Sequence, residues 1–230
     1  MESVEEALAV VLPYLQATTM LLSDWSVKSV DVLFFHSRAS HDDDGLFELA
    51  GELYRASAVK RVAINGSDGE REPGGAAGTI WPGKGFYIQR LRELGVAGWR
   101  DPILTRPAFN TKDENNAFLE IARAEGWRSV GVLTQPHQLL RAMLGLVKSM
   151  DEQGCGMRVY AVAPRGTPWW KEVYGPQSEK LLPRFDHIWE ELRRIPIYQA
   201  KGDLATFAEF FQYLRWRDCW PRPDFSGIAP

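Results

Sequence analysis

Polar residues that could do chemistry gather just behind each apolar run of this chain. His36, Ser37 and Arg38 follow residues 30–35, and Asn65, Ser67 and Asp68 follow residues 59–64. Thr105, Asn110, Thr111 and Glu114 come after 102–104, Thr134, Gln135, His137 and Arg141 after 129–134, and Arg165 after 158–162. An arginine can clamp an anion, while Asn and Thr side chains supply neutral hydrogen bonds. His137 is the best general acid or base, because an imidazole ordinarily titrates near neutral pH. It lies four residues before Arg141, so one helix face would carry both. The alternative for Arg141 is an internal pair with Asp113 or Glu114, and for His137 a structural hydrogen bond at a helix start. Gly66, between Asn65 and Ser67, would let a backbone approach a ligand closely. The stretch is neither a P-loop nor a G-x-G-x-x-G fingerprint.

His36, His41, Asp42, Asp43 and Asp44 are ligand types for a divalent ion. The three aspartates equally suit a helix N-terminus, where their charge meets the dipole. The expectation is therefore no metal, with His36 and His41 not sharing an ion. No G-x-S-x-G, H-E-x-x-H or C-x-x-C motif is present. Trp169 and Trp170 are expected to pack rather than line a pocket.

The elements that must position these residues follow from hydrophobic period. Residues 30–35, 59–64, 129–134 and 158–162 read as buried strands, and 102–104 as a further short one. Helical patterns are predicted over 4–18, 42–55, 86–94, 110–125, 136–150, 177–194 and 203–216. Proline at the start of 136–150 suits a first helical turn, and Asn110 suits a cap. Strands alternating with helices predict a mainly parallel sheet with helices on both faces. In such a sheet ligands bind at the carboxyl ends of the strands, near a change in strand order. The fold would thus bring the polar set to one edge.

The chain has 230 residues, 45% of them apolar, 25% charged, and a net charge of −3. One α/β domain spanning 1–230 is expected, with a helical extension over about 177–216. No basic block appears, which argues against a nucleic-acid partner. Cys155 and Cys219 make neither a metal-ligand spacing nor a disulfide framework. The acidic start and the short apolar run 7–12, broken by Pro13, predict no membrane segment and a cytoplasmic protein.

The order of short motifs resembles the bacterial YdcF-like family, which includes SanA-like and ElyC-like proteins. The resemblance covers about residues 30–165. It is carried by the Asp-led strand at 31–35, Leu53-Tyr54, the strand and glycine turn at 62–66, and Leu94-Gly95-Val96. It continues in Asn110-Thr111 with Glu114 and Asn115, and in Thr134 with Arg141-Ala142 seven residues later. Gln138 stands where the family usually has a histidine. The resemblance implies a Rossmann-like three-layer sandwich, adds Asn115 and Gln138 to the candidate site, and suggests a nucleotide-type ligand such as S-adenosylmethionine.

The expected function is a pocket for a phosphorylated or nucleotide-like small molecule, with Arg141 on the anion and Asn65, Asn110 and Thr111 as hydrogen-bond partners. The alternatives are a metal-assisted hydrolase using His36, His41 and nearby aspartates, and a noncatalytic, envelope-related interaction protein.

Overall fold

The computed structural model describes residues 2–26, 29–38, 42, 45–69, 82–98, 102–174 and 181–219. The strands are β1 (Val32–Phe35), β2 (Val62–Ile64), β3 (Ile103–Leu104), β4 (Ser129–Leu133) and β5 (Arg158–Val162). They form one all-parallel sheet in the order β3-β2-β1-β4-β5. β1 and β2 are buried at every position and β4 at all but its first, as continuous apolar runs in a covered parallel sheet should be.

Helices lie on both faces. α2 (Leu46–Arg55) and α3 (Gly83–Glu93) cover the face of Leu33, Phe35, Val62 and Ile64. α1 (Glu2–Leu22), α4 (Thr111–Ala124), α5 (Leu139–Glu152), α6 (His187–Ala200) and α7 (Phe207–Asp218) cover the face of Val32, Phe34, Val130 and Val132. This is the Rossmann-like three-layer sandwich. From β1 the chain winds outward through β2 and β3, then returns to β4 on the other side of β1. Strand order therefore reverses between β1 and β4, the position at which open α/β sheets form a ligand crevice at the carboxyl ends of their strands.

Local rules set several boundaries. Asn110 caps α4, its side chain accepting the Asp113 N–H at 2.9 Å. Thr206 and Glu209 form a capping box at α7. The exposed edge of β5 is closed by side chains. The Tyr213 hydroxyl accepts from Val159 N–H at 2.7 Å, Asp24 accepts from Ala161 N–H at 2.9 Å, and Arg217 donates to the Val159 carbonyl at 2.8 Å. Occupied in this way, the edge offers no template for another strand.

Four expectations need correction. The helix predicted from 42 begins only at Leu46, so Asp42 is a buried residue of the preceding loop and not a cap. Of the helix predicted over 177–194, residues 177–180 lie outside the described residues, Leu181–Pro183 form a strand, β7, antiparallel to β6 (Glu172–Tyr174), and only from His187 is the chain helical, as α6. Pro183 cannot sit inside a helix, so α6 starts beyond it. The apolar stripe Leu8, Val11, Leu12 and Leu15 of α1 is exposed, because the helix packs through Tyr14, Ala17, Met20 and Leu21. Trp170 is exposed as well, against Phe185.

Candidate functional site

The ends of β1 and β4 are joined directly: His36 N–H donates to the Leu133 carbonyl at 3.1 Å. His36 therefore enters the crevice beside Thr134, the residue that ends β4. Ser37 follows, and its N–H and hydroxyl both donate to Glu114 Oε1, at 2.9 and 2.6 Å. Glu114 stands in the first turn of α4, so this contact ties β1 to α4. Its other oxygen lies 3.9 Å from His36 Nδ1. Burial pushes the Glu114 carboxyl up, and the Ser37 hydrogen bonds offset only part of that rise.

From β4 the chain turns through a 3-10 segment, Pro136–Gln138, into α5. The predicted helix start at Pro136 is thus a tighter turn. The Thr134 hydroxyl donates to Gln138 Oε1 at 3.3 Å. His137 is buried, with Nε2 3.9 Å from Asp42 Oδ2. Asp42 accepts from Arg184 Nε at 3.1 Å, and Arg184 also donates to the Pro168 carbonyl at 2.9 Å. Arg184 is wholly buried and brings the hairpin against the crevice. Arg141 bonds Glu191 of α6 rather than either acidic residue expected for it. Glu191 also accepts from Arg194 at 2.8 Å. Burial raises the Glu191 carboxyl, but Arg141, Arg194 and Arg38 outweigh it and hold the group below its ordinary value.

Two neutral imidazoles sit among these charges. Burial, then Arg38 and Arg141, push His36 down to about 3. Burial, then Arg38, His187, Arg184 and Arg141, push His137 down to about 2. Among the described residues, His36 Nε2, both ring nitrogens of His137 and the Gln138 amide nitrogen have no hydrogen-bond partner. Buried polar atoms are normally paired, so this concentration at one strand edge marks a place where a ligand could complete the bonding.

The structure thus brings together His36, Ser37, Glu114, Thr134, His137, Gln138 and Arg141. It also enlists residues that sequence reasoning missed: Arg184, His187 and Glu191, which lie far along the chain and carry no local motif. Asn115 is fully buried behind Glu114, with both amide atoms unpartnered among the described residues. Gly145 of α5 allows that close approach, since a Cβ there would stand 3.2 Å from the Asn115 amide nitrogen.

Other candidates are used elsewhere. Asn65 is a brace: its amide donates to the Ala108 carbonyl at 2.8 Å, and its oxygen accepts from Ser67 and Ala108 N–H, each at 3.1 Å. At Gly66 a Cβ would meet the Thr105 carbonyl oxygen at 2.0 Å, so glycine there serves chain packing. Asn65→Ala is expected to lower stability by about 1–3 kcal/mol, by orphaning buried backbone groups, without weakening ligand binding. Thermal melts and titrations of the same variant check both halves; weakened binding at unchanged stability would return Asn65 to the site. Asn110 is exposed and occupied in capping. Thr111 stands half-buried beside it at the start of α4. Arg165 lines a separate cavity of about 420 Å³ with Glu48, Glu52 and Pro164, between α2 and the end of β5.

Of the proposed metal ligands, His41, Asp43 and Asp44 lie outside the described residues. Among the described residues, no group of three or more His, Cys, Asp or Glu side chains could hold a metal ion, and no helix is long and apolar enough to cross a membrane. Comparison of the chain with protein-family models, curated proteins and solved structures finds no match.

Proposed function

We propose that the crevice between β1 and β4 binds a phosphorylated or nucleotide-like small molecule, and that the chain is a YdcF-like protein. The observation that carries the ligand reading is the set of buried ring nitrogens on His36 and His137 that have no hydrogen-bond partner among the described residues, in the field of Arg38, Arg141 and Arg184. Guanidiniums favour an anion, and phosphate oxygens accept from arginine and imidazole alike. The same charges disfavour the sulfonium cation of S-adenosylmethionine, which ranks below a phosphate ester here. If a reaction follows binding, His137 is our candidate to move a proton, since it is neutral and has no hydrogen-bond partner among the described residues.

The test is a thermal-shift titration with AMP, a sugar phosphate, S-adenosylmethionine and adenosine. A ligand at 100 times its dissociation constant adds about 2.7 kcal/mol. At ~2–4 °C per kcal/mol for a chain of this size, the phosphorylated compounds should raise Tm by about 5–10 °C. Adenosine stabilising as well as AMP, or no phosphorylated compound stabilising at all, refutes the proposal.

A further inference from the structure

α1 carries two apolar faces, and the fold covers only one of them. Tyr14, Ala17 and Leu21 fall at helical spacing and pack inward. Tyr14 stands edge-on to Phe207 at the start of α7, with ring centroids 4.7 Å apart, and Asp24, just beyond α1, accepts from Arg217 at 2.8 Å. The chain thus runs alongside α7 from Tyr14 onward, and the turns before Tyr14 have no counterpart there. Residues 5–12 are exposed without exception, although 7–12 are all apolar.

The second face points to solvent. Leu8, Leu15 and Leu22 recur every seventh residue and are 56, 58 and 60% exposed. Val11 and Leu12, 47 and 48% exposed, stand between the first two. Thr18 and Thr19, also exposed, occupy the matching places between the second and third. At 3.6 residues per turn these seven side chains form one stripe, and Tyr14, Ala17 and Leu21 lie on a different one. Pro13 is turned to the far side of the helix from Leu15, which keeps its ring out of the stripe. A surface helix ordinarily shows solvent a polar face. Leucine at every seventh place, with apolar or small side chains between, is the pattern of a helix-pairing seam.

Charge and symmetry choose the occupant. No Lys or Arg precedes Lys28, so α1 has nothing to attract an anionic lipid surface. The stripe is symmetric about Leu15. Laid against a reversed copy of itself, it sets Leu8 against Leu22, Val11 against Thr19 and Leu12 against Thr18. The charges of α1 are Glu2, Glu5 and Glu6. They would crowd together in a parallel pair, whereas an antiparallel pair holds them at opposite ends and aligns the helix dipoles favourably. We propose that α1 pairs with α1 of a second copy of this chain, antiparallel, about a two-fold axis at Leu15. From Leu8 to Leu22 the seam is about 21 Å long, at 1.5 Å per residue. Two helices touching over that length bury on the order of 1,000 Å² in all, near the lower limit for a specific interface, so the dimer is reversible.

Sedimentation equilibrium of the full chain, from about 1 to 200 µM, tests the pairing across the affinities a contact of this size supports. The mass should move from 26.1 kDa toward twice that value. Leu15→Glu sets two carboxylates against each other at the axis and should lower the association constant at least about tenfold. Leu15 is exposed, so the melting temperature of the dilute monomer should stay unchanged. Leu8→Glu or Leu22→Lys alone should weaken association as well. Combined in one chain they should restore it, because the antiparallel register sets each new carboxylate against the new ammonium of the other copy. A parallel pair would set like charge against like. A monomer at every concentration, undiminished association of Leu15→Glu, or a Leu8→Glu/Leu22→Lys chain that associates no better than either single variant overturns the inference. So does a monomer that co-sediments with phosphatidylcholine vesicles, which would assign the seam to lipid.

Discussion

Arg184→Met is expected to destabilise the protein by about 3–5 kcal/mol, the characteristic cost of removing one partner from a buried ion pair. Arg184 is fully buried, and its Nε stands 3.1 Å from Asp42 Oδ1. Methionine fills much of the same volume, so the loss comes from the charge and not from a cavity. Asp42 is itself buried, and the Arg38 guanidinium, 4.0 Å from its other oxygen, is too distant to replace the lost hydrogen bond. At ~2–4 °C per kcal/mol, Tm should fall by about 10 °C or more. Asp42→Asn in the same background removes the carboxylate charge that faced Arg184 and should recover part of the loss. A double-mutant cycle from denaturant melts checks this. A loss below about 1 kcal/mol for Arg184→Met would mean that water reaches Asp42 and the pair is not a buried one.

Acid should begin to destabilise the protein as the pH falls below about 6.5, where the two imidazoles of the unfolded chain take their protons. In the unfolded chain each imidazole takes its proton near pH 6.5, by about the ordinary value. In the fold, burial and the nearby arginines hold His36 to about 3 and His137 to about 2. Between those limits the unfolded state binds more protons, so lowering the pH favours it. The stability is fully present above pH 6.5 and is lost as the pH falls toward 3. Each ring contributes a slope of about 1.4 kcal/mol per pH unit, and the two together about 2.7. Against a total stability of ~5–15 kcal/mol, that slope removes a large share of it within about two to three pH units. Denaturant midpoints measured from pH 7 to pH 4.5 should show it. His36→Gln/His137→Gln should flatten the slope over the same range. An unchanged slope in that variant would assign the acid sensitivity to other groups.

The strands and their polar ends were legible for a local reason. Residues 32–35 and 130–133 are apolar without interruption, which a strand buried on both faces requires. Asn110 three residues before Asp113 is a capping pattern contained within one helical turn. The parallel sheet followed from alternation, and the rule that loops at the carboxyl ends share one edge then placed His36, Ser37, Thr134 and His137 together. The strand pair of 172–174 with 181–183 was missed because Leu181 and Leu182 extend a helical pattern, and only pairing with Val173 and Tyr174 reveals the strand.

By itself, then, the sequence determined the class of fold, most strand positions and the edge at which chemistry could occur. These rest on hydrophobic period and on capping, both of which act over a few residues. Only the tertiary structure decided which polar groups meet. Ser37 meets Glu114 across 77 residues, Arg141 meets Glu191 across 50, and Arg184 meets Asp42 across 142. No period encodes such pairs, since they depend on strand order and on where the hairpin and α6 come to rest. The same long-range packing spent Asn65 on Ala108 and left His36 and His137 with ring nitrogens that have no partner among the described residues. A side chain's availability to a ligand is what remains after the fold has used its hydrogen bonds, and that remainder is fixed only once every neighbour is in place.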